Sequence, residues 1–268
     1  MIHAIRYGLV AGLLIAAGNC PAQGASVTPD VIFGSGNANG SFTVDRANGV
    51  EIGLRGKLRF NDVGVAENTF NYDGGKTYTF SPSASVAPAN RSIWNFEWSV
   101  NTDYEGLSGL TVGDLIYELT IDFDPGAGFS GLLFDPINVA LADHSFGDNS
   151  TPASGGIEAA DASEYAALLG SSNVVQQSWN LGFFLLAGDP QLSGIYSISL
   201  SAFDRRGMRL AGTSIDIVVE PVPLPAGLPL LAGGLALFGF ASWRRRAIDL
   251  PEGASRSPEA GSFPVAVA

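Results

Sequence analysis

The clearest pattern of the chain is the alternation in Val50-Glu51-Ile52-Gly53-Leu54-Arg55-Gly56-Lys57-Leu58-Arg59-Phe60. Apolar residues hold nearly every second position of this stretch, and charged residues lie between them. Successive side chains of a β-strand point to opposite faces. This period of two therefore predicts a half-buried antiparallel strand whose charged face meets water.

The same period recurs in other stretches and predicts strands at residues 94–100, 115–123, 196–202 and 214–219. Asp73-Gly74-Gly75 predicts the tight turn of a hairpin over residues 70–80, since glycine readily adopts the positive φ that such turns need. The last two strands are joined through Asp204-Arg205-Arg206-Gly207.

A single short helix is expected to interrupt the strands. Asp161 or Ser163 is its predicted N-cap, and Gly170 is its predicted end. Its apolar face carries Tyr165, Leu168 and Leu169. About eight to ten strands with Gly-rich turns and one helix predict a mainly β fold, an antiparallel β-sandwich of jelly-roll-like type.

This sandwich is expected to be one domain that comprises residues 25–221. The segment contains 9 Lys and Arg residues against 23 Asp and Glu residues, which gives a net charge of −14. Such acidity makes nucleic acid and anionic membrane surfaces poor partners. It suits a solvated extracellular surface.

The N-terminus has the three parts of a secretory signal peptide. Residues 1–6 include Arg6, residues 7–17 are apolar, and small residues follow up to Gly24. We expect residues 1–24 to be removed. Cys20 is the only cysteine of the chain, so the mature protein is expected to have no disulfide. The alternative, acylation of Cys20, would need a lipobox that Ala17-Gly18-Asn19 matches poorly.

The C-terminal region has a similar three-part order. Val222-Pro223-Leu224-Pro225-Ala226 leads into residues 226–243, a run of 18 residues without a charge, and Arg244, Arg245 and Arg246 follow. As a helix this run would be about 27 Å long, which is close to the hydrocarbon thickness of a bilayer. The arginines are expected to stay in the cytoplasm as an anchor, which leaves residues 25–221 outside. The alternative is a buried hairpin or core helix.

This order of motif, spanning helix and arginine cluster resembles the PEP-CTERM class of bacterial sorting signals, in its VPLPA-CTERM variant. The resemblance implies recognition of Val222, Pro223, Leu224, Pro225 and Ala226 by an exosortase, a membrane cysteine protease or transpeptidase that removes the helix. One departure is the 22-residue tail of residues 247–268, where members of the family usually stop soon after the arginines. The tail is rich in Pro, Ala, Ser and Gly, which predicts disorder.

Catalytic residues are not apparent in the sequence. His144 is the only histidine after Gly24, and its neighbours in Asp143-His144-Ser145 do not form a triad, whose members converge from separate parts of a fold. We expect a loop histidine. The acidic residues allow many pairs for glycosidase chemistry and single out none. The protein is therefore expected not to be an enzyme, and no cofactor is expected.

The acidic loops are the candidate metal ligands. Five aspartates are dense enough in oxygen atoms for Ca²⁺, namely Asp122, Asp124, Asp135, Asp143 and Asp148. Their spacing does not match an EF-hand loop. The alternative is ordinary turn chemistry, in which each aspartate binds the backbone of its own loop.

The aromatic residues also have two interpretations. Alternation within strands favours a place in the core, whereas an exposed strip would be a glycan-binding platform. The residues concerned are Trp94, Phe96, Trp98, Trp179 and Phe183.

Two classes of function follow. The first is an exported, non-catalytic bacterial protein of the cell surface or matrix, which passes through an inner-membrane intermediate and associates with exopolysaccharide or biofilm. The resemblance implies this function. The second is an exported carbohydrate-binding module or carbohydrate-active enzyme. A flat aromatic strip or a cleft with convergent carboxylates would favour the second class.

Overall fold

The computed structural model describes residues 24–29, 38–65, 67, 69–82, 85–88, 90–123, 130–138, 142–183, 193–221 and 235–239. The fold of this part of the chain is mainly β. Its strands are β1 (Gly24–Ala25), β2 (Phe42–Ala47), β3 (Val50–Leu58), β4 (Thr77–Phe80), β5 (Trp94–Asn101), β6 (Ile116–Asp122), β7 (Gly131–Phe134), β8 (Ser145–Gly147), β9 (Val174–Asn180), β10 (Gly194–Phe203) and β11 (Arg209–Val219). Helix α1 is Ala162–Leu169, and 3₁₀ turns lie at Val112–Asp114 and Leu181–Phe183.

The strands form two sheets. The first sheet has the order β1-β2-β3-β5-β9-β8 and is antiparallel throughout, as the alternation predicts. The second has the order β4-β11-β10-β6-β7. Its edge strand β4 pairs with β11 in parallel, with Thr77 opposite Asp216, so the second sheet is mixed and the prediction of a purely antiparallel fold is wrong at this strand.

The region around β4 explains this difference. The predicted turn at Asp73 is confirmed by an antiparallel bridge between Tyr72 and Tyr78. That bridge is isolated, and the predicted hairpin does not extend beyond it. β4 instead takes β11 as its partner, and Tyr78 and Phe80 are fully buried in the core.

The two sheets share one hydrophobic core in a sandwich-like arrangement. Apolar side chains from both sheets belong to a single cluster, for example Ile52 and Leu54 of the first and Ile198 and Ile217 of the second. Gly56 permits a close approach between the layers, because a Cβ atom at this position would lie 2.9 Å from Cβ of Tyr78. The core is therefore tightly packed at β3.

The prediction that β3 is half-buried is wrong. Its apolar side chains face the shared core, and the opposite side, here called the outer face, is buried as well: Glu51 and Arg55 are fully buried, and Lys57 is 7 % exposed. Residues 26–29 and 38–42 provide part of the cover. Thr28 N donates to Glu51 Oε1 at 2.7 Å, and the carbonyl oxygens of Ala38 and Gly40 accept from Arg55 Nη1.

Other predicted elements are confirmed. β5 and β6 occupy the expected positions, and β10 pairs with β11 in the expected antiparallel hairpin. Asp161 caps α1 by accepting hydrogen bonds from Ser163 N and Glu164 N, each at 2.9 Å, and Gly170 follows the last helical turn. Tyr165 is the buried residue of the helix.

Both predicted targeting segments fall largely outside the described residues. These include residues 1–23, the motif at residues 222–226, the arginines at 244–246 and the tail at 247–268. Within the predicted spanning run, residues 235–239 are helical. Among the residues described, no helix has the length and apolar character needed to cross a membrane.

Candidate ligand-binding groove

A polar hollow of about 370 Å³ opens at one end of the first sheet. Three segments line it: the loop after β5, the turn after β8, and the connection from α1 to β9. They contribute Asp103 and Thr111, then Asp148, Asn149 and Ser150, and finally Asn173.

An asparagine network fixes the three segments relative to one another. Asn149 Oδ1 accepts from Asn101 Nδ2 at 2.7 Å and from Asn173 Nδ2 at 3.0 Å, and Asn149 Nδ2 donates to the carbonyl oxygen of Asp103 at 2.7 Å. Asn173 Nδ2 also donates to Asn101 Oδ1 at 2.9 Å. Asn101 itself is fully buried at the end of β5 and donates to Thr28 O. The amide of Asn149 is therefore held in one orientation.

The two carboxylates of the hollow are ionised at neutral pH. Hydrogen bonds from the backbone N–H groups of Ser108, Gly109 and Leu107 lower the pKa of Asp103 below its usual value. Their effect is larger than that of desolvation, which raises this pKa. The hydroxyl and backbone N–H of Ser150 likewise lower the pKa of Asp148, and both bond to its Oδ1.

A second, smaller hollow of about 220 Å³ adjoins the first. The two share Asp148 and Ser171 in their linings. The smaller hollow combines the apolar side chains of Phe146, Ile157 and Leu168 with polar groups of Asp148, Thr151 and Ser171. The two hollows together are called the groove below.

The predicted Ca²⁺ ligands do not converge. Asp135 Oδ1 accepts from the backbone N–H groups of Ile137 and Asn138, and Asp148 binds its own turn. Asp122 accepts from Ser130 N, and Asp143 accepts from Gln177 Nε2. Asp124 lies outside the described residues. Within the described ranges, no three Asp, Glu, His or Cys side chains come close enough to hold a metal ion. The alternative of turn chemistry fits Asp135 and Asp148, whereas Asp143 binds the side chain of Gln177 on β9.

His144 lies in a loop position before β8, as predicted, but its ring is fully buried in the core. Its Nδ1 is 2.8 Å from the hydroxyl of Tyr165, which donates to the carbonyl oxygen of Ile137 at 2.6 Å. Tyr165 therefore accepts from His144 Nδ1–H. Burial lowers the pKa of His144 to about 4. His144 does not line the groove.

The aromatic residues support the core interpretation, with one exception. Trp94, Phe96 and Trp98 are fully buried. Trp179 packs edge-on against Trp98, with ring centroids 5.6 Å apart. Phe183 is 58 % exposed and stacks under the guanidinium of Arg91. These five residues do not form a flat exposed strip.

Asp148 is the one residue of the groove among the ligands predicted from the sequence. The hydrogen-bonded asparagines are separated by 48 and 24 residues along the chain, and their side chains carry no pattern that relates them. No family model matches the chain, and no curated protein or solved structure shows significant similarity to it.

Proposed function

We propose that this protein is an exported, non-catalytic surface or matrix protein that reaches its site through a C-terminal sorting signal. The observation that carries the proposal is the order of Val222-Pro223-Leu224-Pro225-Ala226, the uncharged residues 226–243, and the three arginines. A signal peptide at residues 1–24 starts the route, and the helix holds the precursor in the inner membrane. An exosortase-type protease is the expected partner, and the cell surface or medium is the destination.

The two prolines of the motif have a physical role in this proposal. Proline has a fixed φ and lacks a backbone N–H, so Pro223 and Pro225 favour an extended segment just outside the bilayer. A membrane protease binds an extended segment more readily than a helix, whose backbone groups are already paired.

A non-catalytic domain fits the two carboxylates of the groove and the single histidine of residues 25–221. A general acid at neutral pH needs a raised carboxyl pKa, whereas the pKa values of Asp103 and Asp148 are lowered by hydrogen bonds. His144, the only histidine of residues 25–221, is held neutral by burial. We further propose that the two sheets form a β-sandwich of jelly-roll-like type, with the groove at one end.

Mass spectrometry of the C-terminus in the native host tests the sorting route. Wild-type protein recovered from the surface or medium is expected to end near Ala226. Replacing Pro223 and Pro225 by alanine should leave membrane insertion intact and block this cleavage. Replacing Arg244, Arg245 and Arg246 by glutamate should instead disturb retention and orientation. Surface protein that still carries Trp243 and the tail to Ala268 would replace the sorting proposal with a permanent anchor.

A second candidate function is carbohydrate binding, with exopolysaccharide as the partner. The observation that favours it is the polar lining of the groove, because hydroxyl-rich ligands are recognised through fixed donors and acceptors of this kind. A carbohydrate-active enzyme has less support, since the carboxylates of the groove are already engaged by backbone N–H groups.

A further inference from the structure

We propose that the groove binds a short segment of a neutral saccharide through Asp148 and Asn149. This inference identifies a ligand class for the second candidate function. It does not depend on sorting, because all the residues involved lie between β5 and β9.

Asp148 and Asn149 offer an acceptor and a donor from neighbouring residues of the groove lining. The hydrogen bonds from Ser150 N, Ser150 Oγ and Thr151 Oγ1 to the Asp148 carboxylate all go to Oδ1. The other oxygen, Oδ2, is the acceptor that we assign to a ligand. An amide nitrogen has two hydrogens. Asn149 Nδ2 uses one of them to bond Asp103 O, which leaves the other for a ligand. One sugar hydroxyl can donate to Asp148 Oδ2 while its neighbour accepts from Asn149 Nδ2.

The charge of the groove restricts the ligand further. Both Asp103 and Asp148 are anionic at neutral pH, and none of the described residues lining either hollow is Lys, Arg or His. A uronic acid or a phosphorylated sugar would therefore meet uncompensated like charge. A hydroxyl group that donates to a carboxylate gains a charge-assisted hydrogen bond. The groove thus favours neutral sugars over anionic ones.

The shape of the groove agrees with this chemistry. A sugar ring has polar edges and apolar C–H faces. Both hollows offer polar groups beside apolar surface: Leu110 lies in the larger hollow, and Phe146, Ile157 and Leu168 lie in the adjoining one. The larger volume of about 370 Å³ falls at the lower end of the range for small-molecule sites, roughly 300–1,000 Å³. A linear segment that lies across Asp148 would contact both hollows.

Preorganisation lowers the entropic cost of binding at this site. The amide of Asn149 is locked by three hydrogen bonds, and the Asp148 turn is closed by bonds from Ser150 and Thr151. Little side-chain freedom remains to be lost when a ligand binds.

The test uses the full chain in a mild detergent without a sugar headgroup. Isothermal titration measures binding of neutral oligosaccharides derived from cellulose, laminarin and mannan, with alginate oligosaccharides as the anionic probe. The wild type is expected to bind at least one neutral probe and not alginate. Asp148→Asn keeps the shape of the side chain and removes its charge, so we expect binding to weaken by about tenfold or more. Asp62→Asn, in an exposed loop away from the groove, is the matched control and should bind as the wild type does.

A steric variant makes the test independent of how Asp148→Asn folds. Ser171 is exposed and borders both hollows, so Ser171→Trp should fill the groove and abolish binding while the melting temperature stays close to that of the wild type. Unchanged affinity in Ser171→Trp, failure of all neutral probes to bind at millimolar concentration, or equally tight binding of alginate would each overturn the proposal. The sorting proposal is judged separately by the C-terminal mass, which none of these titrations measures.

Discussion

Arg55 on β3 and Glu97 on β5 form a fully buried ion pair at directly opposite positions of the first sheet. Arg55 Nε donates to Glu97 Oε2, and Lys57 Nζ lies 2.6 Å from Glu97 Oε1. The rings of Phe42 and Phe70 lie 4.2 and 4.4 Å from the guanidinium carbon. Burial raises the pKa of Glu97, but the charges of Arg55 and Lys57 outweigh it and hold this pKa below its usual value. The outer face of β3 is thus buried around a charge cluster in which the carboxylate of Glu97 pairs with both Arg55 and Lys57.

Removing the charge of Glu97 should destabilise the protein strongly. Glu97→Gln leaves Arg55 and Lys57 buried without a counter-charge, and loss of one partner of a buried pair costs about 3–5 kcal/mol. Urea denaturation of the variant and the wild type measures the difference. The matched control is Glu118→Gln, at an exposed position on β6, which should change the free energy of unfolding by less than about 0.5 kcal/mol. Similar stabilities of the two variants would contradict the burial of the charge cluster.

The stability of the protein should fall on acidification because of His144. Its pKa is about 4 in the folded protein, against 6.5 for an unperturbed histidine. Between these pH values the unfolded chain therefore binds a proton that the folded protein does not. The contribution of His144 is complete above pH 6.5, and about 3 kcal/mol of it is lost by pH 4. Equilibrium unfolding in urea at pH 7, 6, 5 and 4 measures the loss.

His144→Asn separates this effect from the titration of carboxylates. Asparagine does not titrate, and its amide nitrogen is placed to replace Nδ1 as the donor to Tyr165. Carboxylates with lowered pKa values, such as Asp103 and Asp148, lose their stabilising effect only in a more acidic range. The raised pKa of Glu51 has the opposite effect, because it makes the folded protein more stable as the pH falls. The wild type and the His144→Asn variant share all of these carboxyl groups. The difference in pH dependence between wild type and variant therefore reports His144, and parallel curves from pH 6.5 to 4 would show that its pKa is not lowered.

Gly56 should not tolerate a side chain. A Cβ atom there would lie 2.9 Å from Tyr78 Cβ and 3.2 Å from Phe80 Cε2, so Gly56→Ala forces the two sheets apart locally. Overpacking of this kind costs about 1–3 kcal/mol. Gly170→Ala is the control, because its nearest neighbour would be 3.7 Å away and its φ of −85° suits any residue. The melting temperature should fall in the first variant and stay level or rise slightly in the second.

Several elements of the fold could be predicted because their signals are local. β5, β6 and the β10–β11 hairpin follow from alternation within a few neighbouring residues, and α1 follows from its cap at Asp161. One local signal was missed. Asn48 and Gly49 have φ values of 52° and 78°, and this dipeptide between β2 and β3 is the usual sequence of a two-residue hairpin turn. Strand β2 was predictable from it.

Other features depend on contacts between distant residues, which a local pattern does not encode. The alternating charges of β3 predict a face exposed to water. Alternation alone does not show whether such a face contacts water or is covered by other segments that supply polar partners. Glu97, 42 residues after Arg55, supplies the counter-charge. The parallel pairing of β4 with β11 and the meeting of Asn101, Asn149 and Asn173 are likewise long-range.

The sequence by itself determined the period of the strands, the cap of α1, the acidity of residues 25–221 and the three-part C-terminal signal. Each of these depends on the chemistry of residues that are close together in the chain. Only the tertiary structure decided which faces are buried, which strand pairs with β4, and which side chains form the groove. Hydrogen bonds and ion pairs between segments select those arrangements, and their energies depend on distances that exist only after the chain has folded.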